Sequence, residues 1–147
     1  MSYASRQLKI AKFLNDQRKY QQVLLNILSN AVIYSPTGST IEISISSCVL
    51  EQEKRDVNNS DIKTLLSVIV QDKGPGISLE DQKKLFQPFS TLEANRHLNP
   101  KGVGIGLYVS KLICDKLEGD ISCFSNPEQG LGSTFEFRLQ LMQVSDH

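Results

Sequence analysis

The run Lys101-Gly102-Val103-Gly104-Ile105-Gly106 places glycine on alternate positions directly ahead of an amphipathic segment, Leu107 to Leu117. Backbone without side chains can turn its N–H groups together towards an anion, and the helix that follows points its positive end the same way. A phosphate-bearing ligand is the natural occupant, although a flexible glycine-rich loop would read the same in isolation. Asn26 and Asn30 are four residues apart, so a helix stacks them on one face, about 40° apart in projection. Paired neutral oxygens suit magnesium, which needs few protein ligands when phosphates and waters supply the rest. Surface asparagines are also common enough to account for the pair without a metal. Asp72 opens the turn Asp72-Lys73-Gly74-Pro75-Gly76-Ile77, where a carboxylate acts only as an acceptor. It could take the exocyclic amine of adenine while Gly74 and Gly76 leave room for the ring; an Asx turn satisfying its own backbone is the alternative.

The elements that must position these groups follow from periodicity. Tyr20, Val23, Leu24, Ile27, Leu28 and Ala31 repeat at helical spacing, which predicts a helix from an Asp16 N-cap to about Tyr34. Ser35-Pro36-Thr37-Gly38 ends it, because proline cannot donate and disfavours helix in the residue before it. Residues 8–15 offer a weak strand. Thr40 to Ser46, with Ile41, Ile43 and Ile45 alternating, predicts a half-buried strand; Leu65 to Val70, nearly all apolar, predicts a central one, with residues 51–61 as an exposed loop between them. Ser78 and Asp81 read as a capping pair for a short helix through Leu85, closed by Pro88. Residues 90–101 lack periodicity and are long enough to be a lid. Val109, Leu112, Ile113 and Leu117 form the stripe of a second long helix that Gly119 is expected to stop. Ile121 to Phe124 and Thr134 to Leu141 close the domain as a hairpin with Phe135, Phe137, Leu139 and Leu141 on one face. The predicted class is α+β, a two-layer α/β sandwich with hairpin-connected strands.

Composition narrows the function. A chain of 147 residues fits one core. Sixteen basic residues balance sixteen acidic ones, so no global field recommends nucleic acid or an anionic membrane as partner. Cys48, Cys114 and Cys123 are too scattered for a metal site and read as reduced thiols of a cytoplasmic protein. No apolar run approaches the roughly 20 residues that span a bilayer, and no signal peptide is legible. A P-loop is excluded by the lack of Gly-Lys-Ser/Thr; the glycine spacing is wrong for a dinucleotide fingerprint and follows no strand. No Ser, Cys and His arrangement for nucleophilic catalysis is legible.

Taken in order, Gln22-Val23-Leu24-Leu25-Asn26-Ile27-Leu28-Ser29-Asn30-Ala31, Asp72 to Ile77, Leu85-Phe86-Gln87-Pro88-Phe89 and Gly102 to Leu107 resemble the N, G1, F and G2 boxes of sensor histidine kinases, with Gly130-Leu131-Gly132-Ser133-Thr134-Phe135 closing the series. The resemblance covers residues 16–141 and is to the catalytic ATP-binding domain, in the GHKL superfamily shared with gyrase-type and Hsp90-type ATPases. It implies a Bergerat fold, a mixed and mostly antiparallel sheet covered on one face by helices, with ATP between the long helices under a lid at residues 90–103. Residues 1–15 would be an N-terminal segment, partly strand, and 142–147 a tail.

The resemblance also implies roles. Asn30 would bind magnesium, with Asn26 supporting the metal and phosphates. Asp72 would accept from the adenine amine, with Gly74, Gly76 and Ile77 forming the base pocket, Tyr34 packing by the ring and Thr134 nearby. Gly102, Val103, Gly104, Ile105, Gly106 and Leu107 would present backbone N–H groups to the phosphates. Phe86 and Phe89 would anchor the lid and a docking surface. Expected partners are ATP or ADP, a dimerisation domain carrying the phosphoacceptor histidine, and a response-regulator receiver domain, in two-component signalling; the isolated domain is expected to be a monomer without membrane contact.

Two departures stand out. Ile33 falls where the family usually carries a lysine or arginine reaching the phosphates, and Arg96 or Lys101 is expected to supply that charge. No segment reads as a dimerisation helix with an acceptor histidine, so the chain is expected to be part of a longer protein. Ile33 supports a degenerate docking module as an alternative. A related kinase acting on serine is another, although Asn26, Asn30 and the full F box favour the histidine class.

Overall fold

The computed structural model describes residues 17–51, 62–91, 97–99 and 102–141. Helix α1 (Gln17–Tyr34) is followed by the antiparallel pair β1 (Glu42–Glu51) and β2 (Ile62–Gln71), the short α2 (Leu79–Gln82), α3 (Gly106–Lys116), and the antiparallel pair β3 (Asp120–Ser125) and β4 (Ser133–Leu141). The sheet order is β1-β2-β4-β3, and every described pairing is antiparallel.

The register sorts the side chains. Ile43, Val70, Phe135 and Cys123 lie in one row across the sheet, and Ile45, Val68, Phe137 and Ile121 in the next. Directly opposed residues share a face, so both rows face the helices. Val23, Ile27 and Ala31 of α1, and Ile113 and Cys114 of α3, close over them. Tyr20 meets Phe137 edge to face at 5.4 Å between ring centres. The other face carries Glu136, which accepts from Ser67 at 2.8 Å, and Arg138, paired through Nε and Nη2 with the two carboxylate oxygens of Asp120. The α+β two-layer arrangement is therefore as the periodicity predicts, with the apolar β2 in the interior of the sheet.

Three details differ from the sequence reading. Ile43 and Ile45 are not half-buried but 49% and 63% exposed: β1 and β3 are the two described edges, and α3 covers β3 while α1 lies over β2 and not over β1. Gly119 is not the residue that stops α3. Leu117 caps the helix and Glu118 takes the left-handed conformation at φ 52°. Gly119 serves close approach instead, since a Cβ there would stand 2.0 Å from the Arg138 carbonyl oxygen. The third concerns α2, where Ser78 caps as expected, its Oγ accepting from Asp81 N–H at 3.1 Å, but regular helix ends at Gln82 and irregular turns lead on to Leu85 and Phe86. The Asp16 cap, the 8–15 strand and most of the 51–61 loop lie outside the described residues.

Candidate functional site

The C-terminus of α1, the loop after β2 and the N-terminus of α3 converge on a cavity of about 250 Å³. Its deep end is set by Asp72, only 5% exposed. The carboxylate Oδ1 accepts from the Gly74 N–H at 2.8 Å and the Ser133 N–H at 3.0 Å. No described residue donates to Oδ2, which is left for a ligand. Burial raises the Asp72 pKa above the usual carboxylate value, against the opposing pull of the Gly74 and Ser133 N–H groups and the Lys73 charge.

The loop that carries Asp72 is tied down on both sides. Lys73 N–H donates to the Ser35 hydroxyl at the end of α1, and a Cβ on Gly74 would lie 3.0 Å from the Tyr34 carbonyl oxygen. On the other side Ser125 Oγ accepts the Ile77 N–H at 2.9 Å and donates to the Gly132 carbonyl at 2.7 Å. Gln82 Nε2 donates to the Ile77 and Ser125 carbonyls at 2.7 and 2.8 Å. Gly132 lies so near the Asp72 backbone that a Cβ would be 2.1 Å from its carbonyl oxygen. The glycines and Ile77 thus make a rigid shelf beside the carboxylate.

The other end of the cavity is formed by Gly102, Val103, Gly104, Ile105, Gly106 and Leu107, with Asn30 opposite. The N-cap of α3, Ile105, offers no side-chain hydrogen bond, so among the described residues the first N–H groups of the helix are left to meet an anion at its positive end. Gly104, at φ 72°, is pressed on Ser90; a Cβ there would be 2.6 Å from the Ser90 carbonyl oxygen. Among the described residues no lysine or arginine lines the cavity. Arg96 and Lys101, the expected sources of charge, lie outside the described residues.

Of the residues singled out from the sequence, Asn30, Tyr34, Asp72, Gly74, Gly76, Ile77 and the whole run from Gly102 to Leu107 line the cavity. Asn26, Phe89 and Thr134 do not. The Asn26 amide instead donates to the Gly106 carbonyl and the Ser110 hydroxyl, both at 3.0 Å. Phe89 is 70% exposed with φ 59°, while Phe86 packs against the core. At β4 it is Ser133, the neighbour of Thr134, that lines the cavity. Sequence reasoning passed over Leu85, Ser90, Thr91 and Asn99, which also line it, and Ser110 and Ser125, which support it. Leu85 lies inside the Leu-Phe-Gln-Pro-Phe box, and Ser90, Thr91 and Asn99 fall in the segment expected to be a lid, without being named individually; Ser110 and Ser125 carry no sequence signal.

The profile of a family described as histidine kinase-, DNA gyrase B-, and HSP90-like ATPase matches residues 15–143. The sensor histidine kinase GacS of Pseudomonas protegens is 32% identical over 133 residues, 90% of this chain and 13% of that protein. The signal transduction histidine-protein kinase BarA of Escherichia coli is 33% identical over 128 residues, 87% of this chain and again 13% of the relative. The chain thus spans a small part of the length of the relatives it matches. Among solved structures, the mycobacterial sensor histidine kinase MprB superposes with a TM-score of 0.65 over 88% of this chain and 75% of its own at 21% identity, which is a likeness of fold.

Proposed function

Because the chain belongs to the family of histidine kinase-, DNA gyrase B- and HSP90-like ATPases, we propose that it binds Mg-ATP and transfers the γ-phosphoryl group to a histidine on a separate dimerisation domain. The observation that carries the reading is the cavity itself, with an acceptor-only carboxylate fixed at one end and the uncapped start of a helix at the other. Asp72 Oδ2 takes the adenine amine, and the shelf from Gly74 to Ile77 with Tyr34 encloses the base. The N–H groups from Gly102 to Leu107 take the phosphates. The names of the relatives GacS and BarA support the histidine class.

Asn30 fits a magnesium role by donor chemistry, as a neutral oxygen at the phosphate end. Among the described residues no cluster of three His, Cys, Asp or Glu could hold a metal, which suits an ion held mainly by phosphate oxygens and water. Its chemistry, when bound, is neutralisation of phosphate charge. Phosphoryl transfer needs in-line placement and charge stabilisation more than covalent help, so the chain's own contribution is to hold the nucleotide still and present its terminal phosphate. Asn26 stands where hydrolysing relatives carry a glutamate base; an imidazole nucleophile needs no base to activate it, and hydrolysis should be slow. Arg96 and Lys101 remain our candidates for the charge that Ile33 does not supply.

We take residues 16–141 as the catalytic domain, with 1–15 and 142–147 as flanking segments. We place the domain in the cytoplasm, as a monomer in isolation; among the described residues no helix is long and apolar enough to cross a membrane. Its proposed partners are a phosphoacceptor domain and, downstream, a receiver domain. One observation favours a second reading, a docking module that binds nucleotide weakly: no described cation lines the cavity and Ile33 is 38% exposed.

The test is calorimetric titration with a non-hydrolysable ATP analogue, with and without magnesium, on the wild-type chain and on Asp72→Ala. Equal heats from both proteins, or none from either, would sink the site. Radiolabel transfer from ATP to a matching phosphoacceptor domain then separates the kinase from the docking module, and loss of that transfer in the Arg96→Ala, Lys101→Ala double variant checks the source of the charge.

A further inference from the structure

The base end and the phosphate end of the cavity are held by different devices, and the one at the phosphate end uses residues that do not line it. Asn26 lies one turn before Asn30 on α1. Its Nδ2 donates to the Gly106 carbonyl at 3.0 Å and to Ser110 Oγ at 3.0 Å, and Ser110 Oγ donates to the same Gly106 carbonyl at 2.9 Å. The amide orientation is fixed by chemistry, because a carbonyl oxygen can only accept. The two acceptors are 2.9 Å apart and each 3.0 Å from Nδ2, so the Asn26 amide is anchored on adjacent groups of the first turn of α3. Ser110 is fully buried, and among the described residues no buried side-chain polar atom lacks a partner.

A serine bonded to the carbonyl four residues back in its own helix is ordinary. Here that bond is shared with a side chain from another helix, 84 residues away in sequence. We propose that Asn26 and Ser110 are positioning residues that clasp the first turn of α3 to α1, setting the separation between Asn30 and the phosphate-facing N–H groups of Gly106 and Leu107. This rests on the Mg-nucleotide reading of the cavity. The clasp acts on the phosphates alone, because the base end is held independently through Ser125, Gln82 and Ser133.

The experiment compares wild type with Ser110→Ala, Ser110→Cys and Asn26→Asp. Alanine is smaller than serine and cysteine larger, and cysteine is only a weak donor, so a loss shared by Ser110→Ala and Ser110→Cys is a loss of hydrogen bonding and not of packing in one direction. Asn26→Asp keeps the shape and removes both donors. Affinity is measured for a non-hydrolysable ATP analogue with magnesium and for adenosine. The expected result is a loss of about tenfold for the analogue with adenosine affinity held within about twofold. In parallel, hydrogen exchange on the ligand-free chain should speed up at the amides of residues 109–111, the first hydrogen-bonded ones of the helix, more than at 113–116.

Parallel loss of both ligands, unchanged affinity for both, or an unchanged exchange pattern would each overturn the clasp. Failure of the underlying reading looks different: a wild-type chain that binds neither ligand removes the phosphate role, while the exchange comparison still reports whether the helices are joined.

Discussion

The main-chain N–H of Ser133 reaches the Asp72 carboxylate at 3.0 Å across 61 residues of sequence. That bond, with the one from Gly74, occupies Oδ1 and fixes which carboxylate oxygen faces the cavity. Asparagine at this position can accept both backbone hydrogens through its own carbonyl oxygen, but it turns an amide donor towards the adenine amine. Asp72→Asn should therefore fold as stably as wild type at pH 7, or more so, because the buried charge is removed. It should lose adenine-nucleotide affinity by roughly tenfold to a hundredfold, the loss expected for a charged hydrogen bond of about 1.5–3 kcal/mol. Chemical denaturation and titration calorimetry on the same preparation separate the two effects.

The same group gives the site a pH dependence. Burial raises its folded-state pKa above the ordinary 3.8, so the folded chain binds this proton more tightly than the unfolded one. As pH falls through the folded value towards the unfolded one, the contribution of Asp72 to stability rises, and it is constant below. Affinity for adenosine runs the other way, because only the carboxylate accepts the amine. Adenosine binding should weaken on acidification above pH 3.8, before the ordinary aspartate range is reached, and Asp72→Asn should abolish that dependence. A wild-type profile that stays flat down to the ordinary aspartate range would contradict it.

Gly130 and Gly132 offer a controlled comparison. Both have positive φ, 63° and 74°, but a Cβ at Gly130 meets open space and one at Gly132 meets the Asp72 carbonyl oxygen at 2.1 Å. Gly130→Ala should cost about 1–2 kcal/mol for the left-handed conformation and leave nucleotide affinity intact. Gly132→Ala should cost more than that and displace Asp72, so that both the denaturation midpoint and the ATP-analogue affinity fall.

Removing the Ser125 hydroxyl leaves the Ile77 N–H without its acceptor and the Gly132 carbonyl without its donor. Ser125→Ala should lose about 1–3 kcal/mol of stability, read by urea denaturation, and weaken adenosine binding as the shelf loosens.

Two of the thiols should be inert. Burial pushes Cys114 and Cys123 up to about 12, with negative charge from Asp115 and Asp120 adding at Cys114 and from Asp72 at Cys123. A thiol-specific alkylating reagent at pH 8 should modify neither in the native chain and both after denaturation, as peptide mass mapping would reveal.

The parts of this molecule that were legible in the sequence are those governed by local pattern. The helical spacing of Val23, Ile27 and Ala31 gave α1, and the unbroken apolar run of β2 marked an interior strand. Glycine and aspartate chemistry located most of the cavity lining. What escaped depends on partners distant along the chain. Ile43 and Ile45 alternate as a buried strand should, and they do face the helical side, but nothing local states that α1 lies over β2 instead. Gly119 resembled a helix stop because its true constraint, the Arg138 carbonyl, comes from β4. Ser110 and Ser125 looked like ordinary serines because their importance lies wholly in bonds to residues far away in sequence. Asn26 and Asn30 are spaced for one face of α1, yet the Asn26 amide donates to α3, which the spacing cannot reveal.

Both backbone polar groups of Ile77 are satisfied by side chains, the N–H by Ser125 and the carbonyl by Gln82. The loop proposed to receive the base is thus already ordered when the chain folds, and the entropy of fixing it is lost at that stage and not on ligand arrival. Fragments no larger than an adenine ring should therefore bind with an affinity out of proportion to their size, which makes this end of the cavity the place from which to grow a small-molecule inhibitor.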